Sequence, residues 1–156
     1  MRKQILLCFL LFLAAALLGG CQRKRLKDGV LIESFSYETV GTAMGSETAL
    51  SIVRDDGGFT VTERFANGAT VRKAYVGQTV GAQATDILRA HNALSWNGFA
   101  KSDPHMLDGT SFSLSIAFDD GTTISARGTN SYPKGLSAAV KEIRDLFDRF
   151  LREPEQ

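Results

Sequence analysis

The side chains able to do chemistry in this chain are few and scattered. It holds two histidines, His91 and His105, and two cysteines, Cys8 and Cys21. His105 stands among Asp103 and Asp108, and an imidazole flanked by two carboxylates can orient a general base or supply part of a divalent-metal site. A zinc site would need a further nitrogen or thiolate, and the sequence puts none beside them. His91 falls in phase with Val80, Ala84, Ile87 and Leu88, which reads as a half-buried imidazole on the apolar stripe of a helix. Two acidic turns, Asp55-Asp56-Gly57 and Asp119-Asp120-Gly121, raise a calcium reading. An EF-type loop, however, spaces its ligands at alternate positions and closes on a glutamate; Asp and Gly in a hairpin turn serve the backbone instead. No G-x-S-x-G elbow, H-E-x-x-H pair, Walker loop or dinucleotide fingerprint occurs. We therefore expect no catalytic residue, no metal and no cofactor. The alternative is a hydrolase or metal site around His105 with Asp103 or Asp108.

Cys21 carries a different chemistry. Arg2 and Lys3 precede an apolar run from Ile5 to Leu18, shorter than the roughly 20 residues a spanning helix needs. A basic start, a short apolar stretch and small residues make a secretory signal. Because the run ends in Leu18-Gly19-Gly20-Cys21, the segment resembles the bacterial lipoprotein signal, in which the cysteine is acylated, with palmitate for example, and becomes the new N-terminus. The resemblance implies that residues 1–20 are a signal peptide, that Cys21 is the lipidation site, and that the protein sits on the extracytoplasmic face of a bacterial cell membrane. With Cys8 cut away and Cys21 acylated, no free thiol or disulfide would remain, so the domain must be stabilised by apolar burial.

Charge divides along the chain. Lys plus Arg total 18 and Asp plus Glu 17, yet Arg23, Lys24, Arg25 and Lys27 crowd behind Cys21. We read residues 21–29 as a lipidated basic tether, suited to anionic headgroups, and residues 30–152 as a single acidic globular domain. An acidic body without a basic stripe argues against nucleic acid. The membrane is the expected partner, together with an envelope protein or ligand.

The elements that must hold these residues follow from periodicity. Val30–Val40 reads as a strand with Leu31, Glu33, Phe35 and Tyr37 on one parity. Gly41–Gly45 breaks it, and Glu47–Arg54 and Phe59–Phe65 follow, the latter with Phe59, Val61, Glu63 and Phe65 on one side. Asn67-Gly68 signals a hairpin before Thr70–Val76. A helix then opens with Thr79 as N-cap and ends near Asn92 to Leu94, before Trp96-Asn97-Gly98-Phe99 and a polar loop from Lys101 to Gly109. Phe112, Leu114, Ile116 and Phe118 alternate with small polar residues, and Thr122–Gly128 pairs back. The last helix carries Leu136, Val140, Ile143, Leu146, Phe147, Phe150 and Leu151 on one stripe. The expectation is an α+β domain of order ββββ-α-ββ-α, an antiparallel sheet of about six strands with two helices on one face. Leu50-Ser51-Ile52 with Asp55-Asp56-Gly57 matches Leu114-Ser115-Ile116 with Asp119-Asp120-Gly121 at a constant offset, which admits an internal duplication of hairpin plus helix.

Two surfaces suit binding. Trp96, Phe99 and Tyr132 are a candidate aromatic platform, although aromatics after a helix also serve to close a core. Ser111, Ser113, Ser115, Thr123, Ser125 and Arg127 form a polar strand face. The run from Ser95 to Pro133, with Trp96-Asn97-Gly98-Phe99, Asp108-Gly109-Thr110-Ser111-Phe112, Asp120-Gly121 and Asn130-Ser131-Tyr132-Pro133, resembles small uncharacterised bacterial lipoproteins and exported proteins. That resemblance implies fold and address and carries no activity. The sequence thus points to a membrane-anchored, non-enzymatic binding domain, with a structural accessory of an envelope complex as a further alternative.

Overall fold

The computed structural model describes residues 25–41, 48–65, 71–103 and 109–152. Cys21, the Asn67-Gly68 turn, His105 and Asp108 lie outside the described residues. The elements are β1 (Ile32–Gly41), β2 (Thr48–Asp55), β3 (Gly58–Phe65), β4 (Val71–Val76), α1 (Thr79–Ala90), a 3₁₀ turn (Ala93–Trp96), β5 (Phe99–Ser102), β6 (Thr110–Phe118), β7 (Thr123–Thr129) and α2 (Leu136–Leu151). The strands form one sheet in the order β4-β3-β2-β1-β6-β7-β5. All neighbours are antiparallel except β5 and β7, which run parallel. The fold is α+β as expected, with seven strands rather than about six.

The added strand is β5, which falls where the sequence suggests an irregular connection. Phe99–Ser102 has no apolar alternation, and one residue in four is even partly buried. It is a strand because β7 offers a free edge of backbone N–H and C=O groups, and four residues suffice to pair with it.

Alternation along each strand sends large apolar side chains to one face. Leu50, Ile52, Phe59, Val61, Leu114, Ile116 and Ile124 are buried there under the helices. In α1, Gly81 lets the helix come close: a Cβ at that position would lie 2.2 Å from the Phe59 ring. The parity expected for β1 is wrong at its start. Ile32 is buried and Glu33 exposed, because the register with β6 shifts between Ile32 and Ser34. That bulge keeps a carboxylate out of the core. It also turns the Ile32 N–H toward α1, where it donates to Thr85 Oγ1 at 2.9 Å while that hydroxyl donates to the Gly81 carbonyl at 2.7 Å. Buried Thr85 is thereby satisfied on both counts.

Thr79 does not cap α1. It is the first helical residue, Gln78 precedes it, and no side chain bonds the free N–H groups. At the other end the helix stops at Ala90, before the expected Asn92, because Asn92 adopts a left-handed conformation at φ 54°.

The duplication does not survive the topology. Ser51 and Ser115 both face Ser36 of β1, and Ile52 and Ile116 both face Phe35, so the two matching segments flank β1 at the same rungs. But β3 lies outside β2 on one side and β7 outside β6 on the other, with β2 and β6 pointing the same way. Hairpins arranged like that have opposite hands with respect to the core, and no rotation superposes them. The match reflects one inside-outside alternation imposed twice by the same central strand.

The packed domain also begins earlier than residue 30. Leu26 is buried, Arg89 Nη2 donates to the Lys27 carbonyl at 3.4 Å, and Lys27 Nζ sits 4.0 Å from Asp120. Part of the basic tether is therefore built into the fold.

Candidate binding surface

Both helices cover the same face, so the other side of the sheet is open. Strand pairing sets Thr62, Ser51, Ser36, Ser115 and Ser125 in one row across β3, β2, β1, β6 and β7, at the roughly 4.8 Å spacing of neighbouring strands. The next row toward the β2–β3 turn is Tyr75, Thr60, Val53, Ser34, Ala117 and Thr123. The row on the other side is Val71, Arg64, Ala49, Glu38, Ser113, Arg127 and Ala100. Small side chains keep the central row low between the larger Tyr75, Arg64, Glu38 and Arg127 of the flanking rows, and its hydroxyls both donate and accept. Of the six exposed large hydrophobics among the described residues, Val40, Val53, Val71 and Tyr75 lie on it. The sequence reading found its β6–β7 part. The continuation through Ser36, Ser51 and Thr62 was hidden because register, which sequence does not give, aligns them.

The aromatic platform is mostly internal. Trp96 has no exposed surface, and its Nε1 donates to the Lys134 carbonyl at 2.9 Å; it closes the core under the loop before α2 and cannot touch a ligand. Phe99 is half-buried and Tyr132 is 37% exposed. Both pack on Phe112, at ring separations of 6.3 and 5.0 Å, and Tyr37 joins from the other side at 6.3 Å. Phe112 organises this cluster, and sequence reading gave it no role beyond alternation. Gly128 is required beside it, since a Cβ there would lie 2.7 Å from the Phe112 ring and 2.4 Å from the Ser131 carbonyl.

On the covered face, one charged group among the described residues enters the core. Glu63 is fully buried at the position its strand parity assigns. It pairs with Arg72 and has Arg144 Nε 3.5 Å from Oε1, while Arg72 also bonds Asp148 at 3.0 Å and lies over the Phe65 ring at 5.5 Å. Hydrogen bonding to Glu63, with a smaller share from Asp148, holds Arg72 all the more firmly protonated. β3, β4 and α2 are tied together by this cluster. Nearby, burial pushes the Tyr37 hydroxyl up to about 12, with Tyr132 adding to the shift and Arg144 opposing it.

The remaining candidates resolve differently. His91 is partly buried and its Nε2 meets Glu142 Oε1 at 2.9 Å, joining α1 to α2. Asp103 gives its backbone N–H to the Thr129 carbonyl at 3.0 Å, while its companions His105 and Asp108 fall outside the described residues. The acidic turns use their carboxylates locally: Asp55 accepts from the Asp56 N–H at 2.8 Å and Asp120 from Thr122 at 2.9 Å. Hydrogen bonds from Thr122 hold the Asp120 carboxyl below its ordinary value. Gly57 and Gly121 take φ values of 86° and 80°, which is why glycine follows the aspartates. Among the described residues no three metal-binding side chains converge, and no helix is long and apolar enough to cross a membrane. Comparison with protein-family models, curated proteins and solved structures found no match.

Proposed function

We propose that this chain is a membrane-anchored extracytoplasmic lipoprotein, acylated on Cys21, whose domain is a non-enzymatic binding module for an envelope protein. The observation that carries the binding half of this reading is the open sheet face, rich in hydroxyls, with Val40, Val53, Val71 and Tyr75 exposed on it. These apolar groups are spread over three rows among hydroxyls and charges, the mixed polar and apolar surface that a non-obligate protein partner meets. The address rests on Leu18-Gly19-Gly20-Cys21 and on the basic residues that follow. Mild crosslinking and recovery from native membranes tests the whole, with Cys21→Ser as control. A partner crosslinked to the wild type and lost from the unanchored variant is the expected result; identical recoveries from both forms would contradict it.

A further inference from the structure

The structure determines which end of the domain an anchor on Cys21 would hold to the membrane, and the inference rests on the lipoprotein reading above. Leu26 is buried and the chain from Lys27 to Leu31 is fastened to the domain: Lys27 through its carbonyl to Arg89 and its ammonium to Asp120, Leu31 through its N–H to Asp119 Oδ1 at 3.0 Å. Only four residues separate Cys21 from Leu26. Even fully extended, that leash spans at most about 17 Å.

The fastening point lies at one end of the sheet. Ile32 opens β1 beside Phe118, next to the Asp120-Gly121 turn, and Ser34 faces Val53, next to the Asp56-Gly57 turn. Helix α1 crosses here, touching Phe59 through Gly81, Ile32 through Thr85 and Lys27 through Arg89. The opposite end, where Gly41 faces Thr110, is about 30 Å away along β1. Helix α2 lies toward that end, with Arg144 and Asp148 on the Glu63–Arg72 pair.

We propose that the domain stands on the bilayer with the α1 end down, held there by the short leash, whose basic residues meet the phosphate headgroups. The basic groups nearest the anchor fit the role. Arg23, Lys24, Arg25 and Lys27 occupy the leash and its foot. A hollow of about 320 Å³ between the leash and the end of α1 is lined by Arg25, Arg89, Asp28 and Leu94, the Arg89 guanidinium being held in place by Asp86 and the Lys27 carbonyl. Of the acidic groups at this end, Asp119 pairs with Arg54 at 3.8 Å, Asp120 with Lys27 and Asp86 with Arg89, while Asp28 lines the hollow and Glu33, Asp55 and Asp56 cluster with Gln78 by the β2–β3 turn, so it is the short leash and not the charge of the domain that sets which end is down. The leash thus holds the domain against the membrane, and the open face stands upright beside it, accessible to a partner in the same membrane.

The test uses single thiols, since an acylated Cys21 leaves the mature chain without a free one. The lipidated protein carrying Gln78→Cys, Ala90→Cys or Ser113→Cys is spin-labelled and placed on phosphatidylglycerol-containing vesicles with some lipids bearing a nickel-chelate headgroup. Labels at Gln78 and Ala90 should relax several-fold faster than the label at Ser113, and a long glycine-serine insertion after Gln22 should erase the difference. Equal relaxation at all three sites, or faster relaxation at Ser113, overturns the orientation. Mass spectrometry of the N-terminal peptide is read first: absence of acyl groups on Cys21 overturns the lipoprotein reading and this inference with it, whereas an acylated protein with equal relaxation overturns the orientation alone.

Discussion

The two faces of the sheet are built from the same strands by opposite rules. Among the described residues, the face under the helices holds the large buried strand residues and admits one carboxylate, Glu63, which it surrounds with Arg72 and Arg144. The open face carries a central row of Ser and Thr, flanked by rows that mix Ser, Thr and Ala with Val53, Tyr75, Glu38, Arg64 and Arg127, where the covered face carries Leu, Ile and Phe. Side chains that hold a fold must be large and satisfied, while a docking face must keep its shape without them. Substitutions on the two faces should therefore behave as two classes, one moving stability and the other moving only recognition.

The largest effect belongs to the covered face. Leu50→Ala empties a fully buried position at the centre of the sheet and should cost about 3 kcal/mol by urea unfolding, whereas Ser51→Ala beside it should shift stability by less than about 0.5 kcal/mol. Next comes the ion cluster. Glu63→Gln leaves two guanidiniums without their buried partner; because Arg72 and Arg144 retain 32% and 43% of their side-chain exposure and can rehydrate, the cost should be about 2 kcal/mol, below that of a fully enclosed pair.

A pH series sharpens the contrast further. Tyr37, raised to about 12, keeps its proton in the folded state over a range where the unfolded chain has lost it, the ordinary value being 10.0. Its contribution is complete below pH 10 and disappears as pH rises toward 12. Stability should fall over that interval, less steeply in Tyr37→Phe, when urea midpoints are compared. A small stability effect is expected at His91, whose partner Glu142 is half in solvent: Glu142→Gln should change the thermal midpoint by the equivalent of less than about 1 kcal/mol.

Much of this contrast was legible in sequence, and the misses share a cause. Alternation alone located β6 with Phe112, Leu114, Ile116 and Phe118 inward, and the stripe of α2, because those patterns are local and strong. It located Glu63 on the inner side too, but Arg72 and Arg144 come from another strand and a distant helix, and no local pattern announces that they meet. β5 was missed since its cause is the vacant edge of β7, not its own residues. The shift in β1 was missed for a similar reason, since the demand that Ile32 be buried comes from α1 and β6. Trp96 is in sequence a candidate platform residue for which closing the core is the preferred reading, and its burial under the loop carrying Lys134 makes it the plug. The hydroxyl row needed the register of five strands, which only folding supplies.

The measurement that bears most directly on the division of labour charges the open face and follows binding and folding together. Ser36→Arg with Ser125→Arg places two guanidiniums on exposed rungs of that face, separated by Ser115. Crosslinking in native membranes should lose the partner seen with the wild-type protein while the thermal midpoint stays within a few degrees. Undiminished crosslinking at an unchanged midpoint would contradict the account, and so would a loss of binding that merely tracks a collapse in stability.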